Sequence, residues 1–362
     1  MEDRLQHPFH MYDEIMLQPE YLKKLFLSSK FKNHDEILEV LKNSSRIFLV
    51  GCGTSYNSAL SSFSFSQMIF RRDNKFYSIP ARELMSPNYD LNSEDTIIAF
   101  SHSGDTKATF DCLRFANERK CKTILVTGDA DSRCAKISNF VLTYGYKNDK
   151  SLAHTITFSL SSFLMLIIMG KLAKKMGFIT TSDIINSLSI QLPSLVDNVL
   201  KQRSEIKDLS KKIDSNFYLI SGSDSTISTA AETSLKFGEV HYTPTTFMDV
   251  EQLFHGPLVM CDKYTGIIVV NSNNNLDSRL NDLFKATKNI GCKTLLVTTE
   301  KSNVDSSDYI FKLPHFHELL VPIVYMIPLQ LLSYYISVNQ ELNPDYIRRD
   351  QTSYKKAREA YE

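Results

Sequence analysis

The strongest constraint on the fold is an internal repeat. Three segments recur in the same order 170 or 171 residues further along the chain, and one pair, residues 121–127 and 292–298, is identical at six of seven positions. The other two pairs are residues 47–55 with 217–225 and residues 96–103 with 266–273. Three matches in order at a nearly constant spacing indicate that the chain contains one structural unit twice.

Each copy alternates short β-branched runs with longer segments of helical character, such as residues 106–120 and 226–240. This alternation is typical of βαβ units, in which helices cover both faces of a parallel sheet. The sequence therefore predicts an α/β protein with two tandem doubly wound parallel sheets. The predicted divisions are a helical arm (1–40), a first subdomain (41–179), a helical connector (180–212), a second subdomain (213–342) and a polar tail (343–362).

Composition narrows the function classes. The chain has 41 basic and 41 acidic residues and a formal net charge of zero, so no charge excess indicates nucleic acid or an anionic membrane as a partner. Its six cysteines form no C-x-x-C pair, which favours reduced thiols in the cytoplasm over disulfides or zinc. Neither a metal ion nor an organic cofactor is expected from the motifs.

Two apolar stretches, residues 156–173 and 319–338, are long enough to be tested as membrane spans. Hydroxyl residues interrupt the first and prolines the second, so both are predicted to be helices buried in a protein core. The N-terminus lacks the basic and then apolar order of a signal peptide. The expected location is therefore the cytoplasm.

Two small-residue loops follow predicted strands and precede predicted helices. They are residues 51–58 (Gly-Cys-Gly-Thr-Ser-Tyr-Asn-Ser) and 101–106 (Ser-His-Ser-Gly-Asp-Thr). Hydroxyl groups and backbone amides at a helix start bind a phosphate through hydrogen bonds and the helix dipole. The alternative is helix capping, in which the same side chains only satisfy free amides. Two such loops at neighbouring strand ends favour a phosphate site.

The combination of motifs resembles a known family. These loops, together with Glu239 and a His255-Gly-Pro segment sixteen residues later, resemble SIS proteins, in particular the isomerase domain of glucosamine-6-phosphate synthase. The resemblance implies two tandem SIS subdomains and a sugar-phosphate ligand, and it assigns phosphate binding to Gly53, Thr54, Ser55, Ser101, His102, Ser103 and Thr106. It also places Ala153 at a backbone contact with the sugar hydroxyls. His102 replaces a glutamine of that family, and Ile156 replaces a lysine.

The same resemblance indicates three catalytic candidates. Glu239 corresponds to the residue that moves a proton between adjacent carbons, and His255 to a residue of the neighbouring subunit that opens the sugar ring. Lys236, one helical turn before Glu239, corresponds to a further active-site lysine. A homodimer with shared active sites is therefore expected. The alternatives are a solvated glutamate, a structural histidine and a surface lysine paired along its helix.

The chain departs from the synthase in two respects. It has no glutaminase segment and no cysteine after the initiator methionine, so release of ammonia from glutamine is not expected. Thr352 aligns with the synthase lysine that forms an imine with the sugar, and Lys355 or Lys356 would replace it only after a small shift. A substrate that carries nitrogen does not need that lysine, because it forms its own imine or enolamine.

These features predict an isomerase/deaminase that interconverts glucosamine 6-phosphate with fructose 6-phosphate and ammonia. Two alternatives stay open: a deglycase acting on a fructosamine 6-phosphate, and a SIS protein that binds a sugar phosphate without catalysis. In each case the ligand is a phosphorylated hexose or amino sugar. No helix-turn-helix pattern or basic patch indicates nucleic-acid binding.

Overall fold

The structure is a computed structural model that describes residues 4–28 and 34–360. These residues form two compact units. The first-sheet unit comprises residues 17–28, 34–149 and 156–193, and the second-sheet unit comprises residues 4–16, 150–155 and 194–360. Each unit contains a five-stranded sheet.

Strands and helices alternate along both units. The first sheet consists of β1 (Arg46–Gly51), β2 (Phe76–Pro80), β3 (Asp95–Phe100), β4 (Lys122–Thr127) and β5 (Phe140–Thr143). The second consists of β6 (Phe217–Gly222), β7 (Thr245–Met248), β8 (Thr265–Val270), β9 (Lys293–Thr299) and β10 (Tyr309–Leu313). The helices are α1 (His10–Leu27), α2 (His34–Asn43), α3 (Thr54–Phe70), α4 (Lys107–Glu118), α5 (Arg133–Ile137), α6 (Ile156–Lys175), α7 (Ile179–Leu200), α8 (Arg203–Lys212), α9 (Ile227–Val240), α10 (Val250–Leu253), α11 (Asp277–Ile290), α12 (Val321–Val324), α13 (Met326–Asn339) and α14 (Thr352–Glu359).

Both sheets are parallel and have the same strand order. The order is β2-β1-β3-β4-β5 in the first sheet and β7-β6-β8-β9-β10 in the second. In each, the chain passes from the first strand to the sheet edge and then returns to the other side of that first strand. The predicted α/β fold with a duplicated doubly wound unit is therefore confirmed.

The sequence repeat corresponds to a repeat in packing. Strands β3 and β8 are buried at every residue, and because successive side chains point to opposite faces, both faces of each sheet must be covered. The helices that follow these strands bury the same pattern of four positions: Thr109, Cys112, Leu113 and Ala116 in α4, and Leu280, Leu283, Phe284 and Thr287 in α11. This i, i+3, i+4, i+7 spacing gives each helix one apolar face toward its sheet.

Two helical segments are long and apolar enough to cross a membrane, α6 and Glu318–Asn339. The structure buries 94% and 100%, respectively, of the most apolar window of each segment. Helix α6 packs against α2 and α3, whereas α13 packs against α8 and α9. This burial agrees with the core helices expected from the sequence, and the cellular location remains a prediction.

Helices also occupy the segments outside the two repeats. The predicted arm (1–40) contains α1 and most of α2, which ends at Asn43, and residues 1–3 and 29–33 lie outside the described part of the chain. The predicted connector (180–212) contains α8 and all of α7 except its first residue, Ile179. The predicted tail contains α14, and its residues 361–362 also lie outside the described part of the chain. In the tail, the buried Asp345 carboxylate accepts the amides of His10 and Met11 at 2.9 and 2.8 Å, where an acidic group stabilises the start of α1.

Candidate active site

The two predicted phosphate loops start beside each other in the first-sheet unit. Strand β1 ends at Gly51 and β3 at Phe100, and Val50 is paired with Ala99 in the register of these neighbouring strands. The strand order reverses between β1 and β3. In open α/β sheets the crevice at this reversal, outside the carboxyl ends of the strands, is the usual ligand site. Loops 51–58 and 101–106 therefore border the position where this fold binds ligands.

The loop after β1 is a close turn into α3. A Cβ atom on Gly51 would lie 2.7 Å from the backbone carbon of Ser55, and Gly53 has a φ of 56°. Only glycine adopts such a conformation without strain. The turn places the hydroxyl groups of Thr54 and Ser55 in the first turn of α3, where the helix dipole favours an anion.

The loop after β3 groups three hydroxyl side chains at the start of α4. The Ser101 and Thr106 hydroxyl oxygens lie 3.2 Å apart, and the exposed Ser103 hydroxyl accepts the Asp105 amide. Gly104 has a φ of +67°, and a Cβ atom there would lie 1.9 Å from a Ser132 side-chain oxygen. The loop is thus held tightly while Ser103 and Thr106 remain accessible to solvent.

His102 is held by protein groups on both ring nitrogens. Its Nε2 atom lies 2.6 Å from the Asp149 carboxylate, and its Nδ1 atom lies 2.7 Å from the Tyr144 hydroxyl oxygen. Its carbonyl oxygen accepts the Gly128 amide and the Thr127 hydroxyl, each at 3.0 Å. His102 is therefore fixed by side chain and main chain alike.

In the second-sheet unit, Lys236 lies in a buried cluster with two carboxylates on α9. Its ammonium group contacts the Glu239 carboxylate, and the Glu232 carboxylate lies 3.5 Å away. The side chains of Lys236 and Glu232 are inaccessible to solvent, whereas Glu239 is 27% exposed. Burial alone lowers the pKa of Lys236, but the charges and hydrogen bonds of Glu239 and Glu232 outweigh it, so its pKa is raised. Lys236 is therefore a buried cation that is paired with the partly exposed carboxylate of Glu239.

His255 lies in a different setting from Glu239. It follows α10, its side chain is 65% exposed, and its Nε2 atom is 3.3 Å from the Glu251 carboxylate. Arg279 binds that carboxylate with two hydrogen bonds of 2.9 and 2.7 Å and lowers the pKa of Glu251. Within the described residues, no hydrogen bond or ion pair joins His255 to Glu239.

Ala153 lies in a short segment anchored within the second-sheet unit. The alanine is buried and its amide donates to the Ser151 hydroxyl at 3.2 Å. The Leu152 amide donates to the Asp345 carbonyl at 2.8 Å. These bonds fix the backbone of residues 151–153, as a backbone contact with a ligand would require.

Comparison with known proteins decides the family. The sequence profile of the SIS domain family matches residues 40–169 and 213–340, ranges that include both sheets. The chain belongs to the SIS domain family.

Curated relatives of this SIS protein include glutamine–fructose-6-phosphate aminotransferases [isomerizing]. The protein from Thermococcus kodakarensis is 26% identical over 354 residues, which cover 95% of this chain and 58% of the relative. That from Escherichia coli K12 is 26% identical over 360 residues, covering 94% and 57%. The chain thus spans a little over half the length of these relatives.

Two solved structures share the fold of this chain. The C-terminal domain of glucosamine-fructose-6-phosphate aminotransferase from Francisella tularensis has a TM-score of 0.84 at 23% identity, covering 94% of this chain and 98% of that one. Glucosamine-6-phosphate deaminase from Thermotoga maritima has a TM-score of 0.72 at 23% identity, covering 93% and 97%. The resemblance to SIS isomerase domains is confirmed.

In the second SIS unit, the loop after β6, which the repeat pairs with the loop after β1, contacts carboxylates. After β6, the Ser223 hydroxyl donates to the Asp249 carboxylate at 2.6 Å, and the Ser225 hydroxyl donates to the Glu318 carboxylate at 3.3 Å. Carboxylates repel a phosphate and compete for the donors that would bind it. The two hydroxyl groups after β6 are therefore already engaged by carboxylates.

Sequence reasoning did not single out Glu232, Asp149 or Tyr144. Glu232 precedes Lys236 by four residues on one helix, so the i, i+4 spacing was a signal in the sequence. Asp149 and Tyr144 contact His102 from later parts of the chain. No local pattern marks such a contact, because it depends on the order of β3, β4 and β5 in the sheet.

Proposed function

We propose that the protein converts glucosamine 6-phosphate and water to fructose 6-phosphate and ammonia, and catalyses the reverse reaction. The observation that carries this proposal is the pair of hydroxyl-rich loops at the strand-order reversal of the first SIS unit. The names of the relatives support the substrate class, because they include isomerising aminotransferases and a glucosamine-6-phosphate deaminase.

The sugar phosphate is bound by neutral donors. Thr54 and Ser55 in one loop, and Ser101, Ser103 and Thr106 in the other, provide hydroxyl groups at the starts of α3 and α4. Lys107, the nearest cation along the chain, pairs with Asp111 at 2.7 Å. Hydroxyl groups, amides and helix dipoles therefore supply the affinity for the phosphate.

Glu239 transfers the proton in the proposed reaction. After ring opening, its carboxylate takes the proton from C2 and returns it to C1 of the resulting enolamine, which leaves an imine at C2. Water adds to that imine and ammonia departs, so the carbonyl ends at C2. The partial exposure of Glu239 leaves it accessible to a substrate, and the hydrogen bond from buried Lys236 holds it in place.

This route does not require a lysine of the enzyme to form an imine. Thr352 begins α14, and Lys355 and Lys356 are exposed on the same helix. The amine of the substrate supplies the nitrogen that an enzyme lysine supplies to an unsubstituted ketose. Exposed tail lysines are consistent with a reaction in which the tail contributes no covalent chemistry.

We propose that His255 opens the sugar ring in the active site of a second copy of the chain. Its side chain is 65% exposed, and Val259 and Met260, four and five residues further along the chain, are 89% and 54% exposed. Neighbouring exposed apolar side chains are typical of protein interaction surfaces. A symmetric dimer would use this surface twice.

The test is a panel of 6-phosphorylated hexoses and amino sugars, with ammonia and ketose recorded together. Equal amounts of ammonia and fructose 6-phosphate from glucosamine 6-phosphate are expected. Ketose formation from an aldose phosphate without ammonia would instead identify an aldose–ketose isomerase. Release of an amine and glucose 6-phosphate from a fructosamine 6-phosphate would identify a deglycase. Binding without turnover of any member would contradict an enzymatic role.

A further inference from the structure

We propose that Asp149 and Tyr144 are positioning residues that act through His102 to hold the loop of residues 101–106 in its phosphate-binding shape. The inference rests on the proposed function, because it concerns the same phosphate site. It assigns a role to a buried network in the first SIS unit that no local motif indicates.

The side chains of the network are buried in the first SIS unit. The Asp149 side chain is 4% exposed and that of His102 12%, and Tyr144 is buried. A buried carboxylate is costly unless a cation or hydrogen-bond donors compensate it. Burial and the charge of Asp149 raise the pKa of Tyr144 well above its ordinary value, so its hydroxyl group keeps its proton and remains available for a hydrogen bond with His102.

The main chain confines the imidazole as well. A Cβ atom on Gly128 would lie 2.8 Å from the His102 ring and 2.4 Å from the Tyr146 carbonyl oxygen, so only glycine allows the ring to lie this close to the backbone. The Tyr144 amide donates to the Thr127 carbonyl at 3.3 Å. The chain segments at the ends of β3, β4 and β5 therefore meet around one side chain.

This arrangement determines how residue 102 contributes to binding. Ser101 and Ser103 flank His102, so fixing its ring and carbonyl also fixes the hydroxyl groups on both sides. Donors held in place before binding lose less conformational freedom when the ligand arrives. Since the ring nitrogens already contact Asp149 and Tyr144, His102 acts through the loop and the hydroxyl groups contact the phosphate.

Positioning of a phosphate loop predicts a specific kinetic signature. The phosphate does not change during the reaction, so its binding energy is the same in the ground state and the transition state. Loss of such uniform binding raises KM and leaves kcat nearly unchanged. For Asp149→Asn we expect KM for glucosamine 6-phosphate and Kd for inorganic phosphate to rise at least about tenfold, because small misplacements of binding groups have large effects. For Tyr144→Phe we expect about fivefold, the effect of one lost hydrogen bond.

The matched control is Asp95→Asn in the same unit. The buried Asp95 carboxylate binds Arg46 at 2.7 and 2.8 Å, at the amino ends of β3 and β1. This change removes another buried carboxylate at the opposite end of the sheet, so it is expected to lower thermal stability without changing the Kd of phosphate. A double-mutant cycle adds a second readout: in a His102→Ala background, Asp149→Asn should cause no further loss of affinity.

The outcomes separate this inference from the proposed function. Full affinity of Asp149→Asn for phosphate and for glucosamine 6-phosphate would overturn the positioning role while leaving the function intact. Equal losses for Asp149→Asn and Asp95→Asn, or additive losses with His102→Ala, would also overturn it. Failure of the wild-type protein to bind any phosphosugar would reject the function itself. Conservative Tyr144→Phe keeps the test decisive if Asp149→Asn fails to fold.

Discussion

His241 makes the stability of the second SIS unit depend on acidity. It ends α9, directly after the turn that carries Glu239, and it is buried. Its Nδ1 atom lies 2.8 Å from the Thr243 hydroxyl oxygen, and its Nε2 atom is buried without a hydrogen-bond partner among the described residues. Burial lowers its pKa from 6.5 to about 3. The imidazole is therefore neutral in the folded protein at pH values where an unfolded chain would protonate it.

The sign and size of the effect follow from this difference in pKa. The unfolded state binds the proton below the ordinary pKa of 6.5, and the folded state binds it only near pH 3. The free energy of unfolding is therefore unaffected by His241 above pH 6.5 and decreases as the pH falls from 6.5 toward 3. At about pH 4.5 the loss amounts to about 3 kcal/mol. That is a substantial part of the 5 to 15 kcal/mol by which typical proteins are stable.

The assay is urea unfolding at about pH 7 and about pH 4.5 for the wild type and for His241→Phe. Far-UV circular dichroism is the suitable probe because the chain has no tryptophan. Phenylalanine keeps an aromatic ring beside Tyr218 and Phe237, whose ring centroids lie 5.7 and 4.7 Å from that of His241, but it cannot be protonated. We expect the variant to lose about 3 kcal/mol less on acidification, whereas the exposed His315→Gln control should behave like the wild type. Equal acid sensitivity of His241→Phe and wild type would refute the reasoning.

Three further predictions concern the reaction. Glu239→Gln should retain substrate affinity within a few-fold but lose at least about a hundredfold in turnover, because the amide keeps the shape of the carboxylate and cannot accept a proton. Equilibrium binding measures the affinity, and steady-state kinetics measure the turnover. Subunit exchange between inactive Glu239→Gln and His255→Ala proteins should restore part of the activity, because one mixed active site would contain both native residues. Borohydride treatment with fructose 6-phosphate should leave no sugar adduct on Lys355 or Lys356 by mass spectrometry, and alanine at either position should retain most of the deamination rate.

Each of these predictions has a control and a contrary result. For Glu239→Gln the control is the exposed Glu205→Gln on α8, and wild-type turnover of the Glu239 variant would reject its role in proton transfer. Verified heterodimers without activity would place His255 in the active site of its own subunit. A reduced sugar adduct on either tail lysine would indicate an enzyme imine and chemistry closer to that of the synthase.

Much of the fold could be predicted because its determinants are local. Runs such as Ile47–Val50 and Ile267–Val270 are apolar at every position, as a strand buried on both faces requires. The loops at residues 51–58 and 101–106 combine a glycine turn with helix-capping residues, so their place between strand and helix was visible from chain order. The repeat then predicted that both halves share one topology, which the two identical strand orders confirm.

What only the tertiary structure decided is the choice of partners among residues far apart in the chain. Ser225 and Ser55 are equivalent in the repeat, after β6 and β1, yet the Ser225 hydroxyl donates to the Glu318 carboxylate, whereas Ser55 is partly exposed in the first turn of α3. The sequence predicted His102 as a ligand-binding residue, whereas in the structure its ring nitrogens contact Asp149 and Tyr144. The spacing of apolar residues in a strand or helix indicates which face of that element is buried. The partner of a buried polar group depends instead on which segments the packed sheet brings together. The sequence by itself therefore determined the repeated α/β architecture and the position of its hydroxyl-rich loops, whereas tertiary packing decided which donors in those loops remain accessible to a ligand.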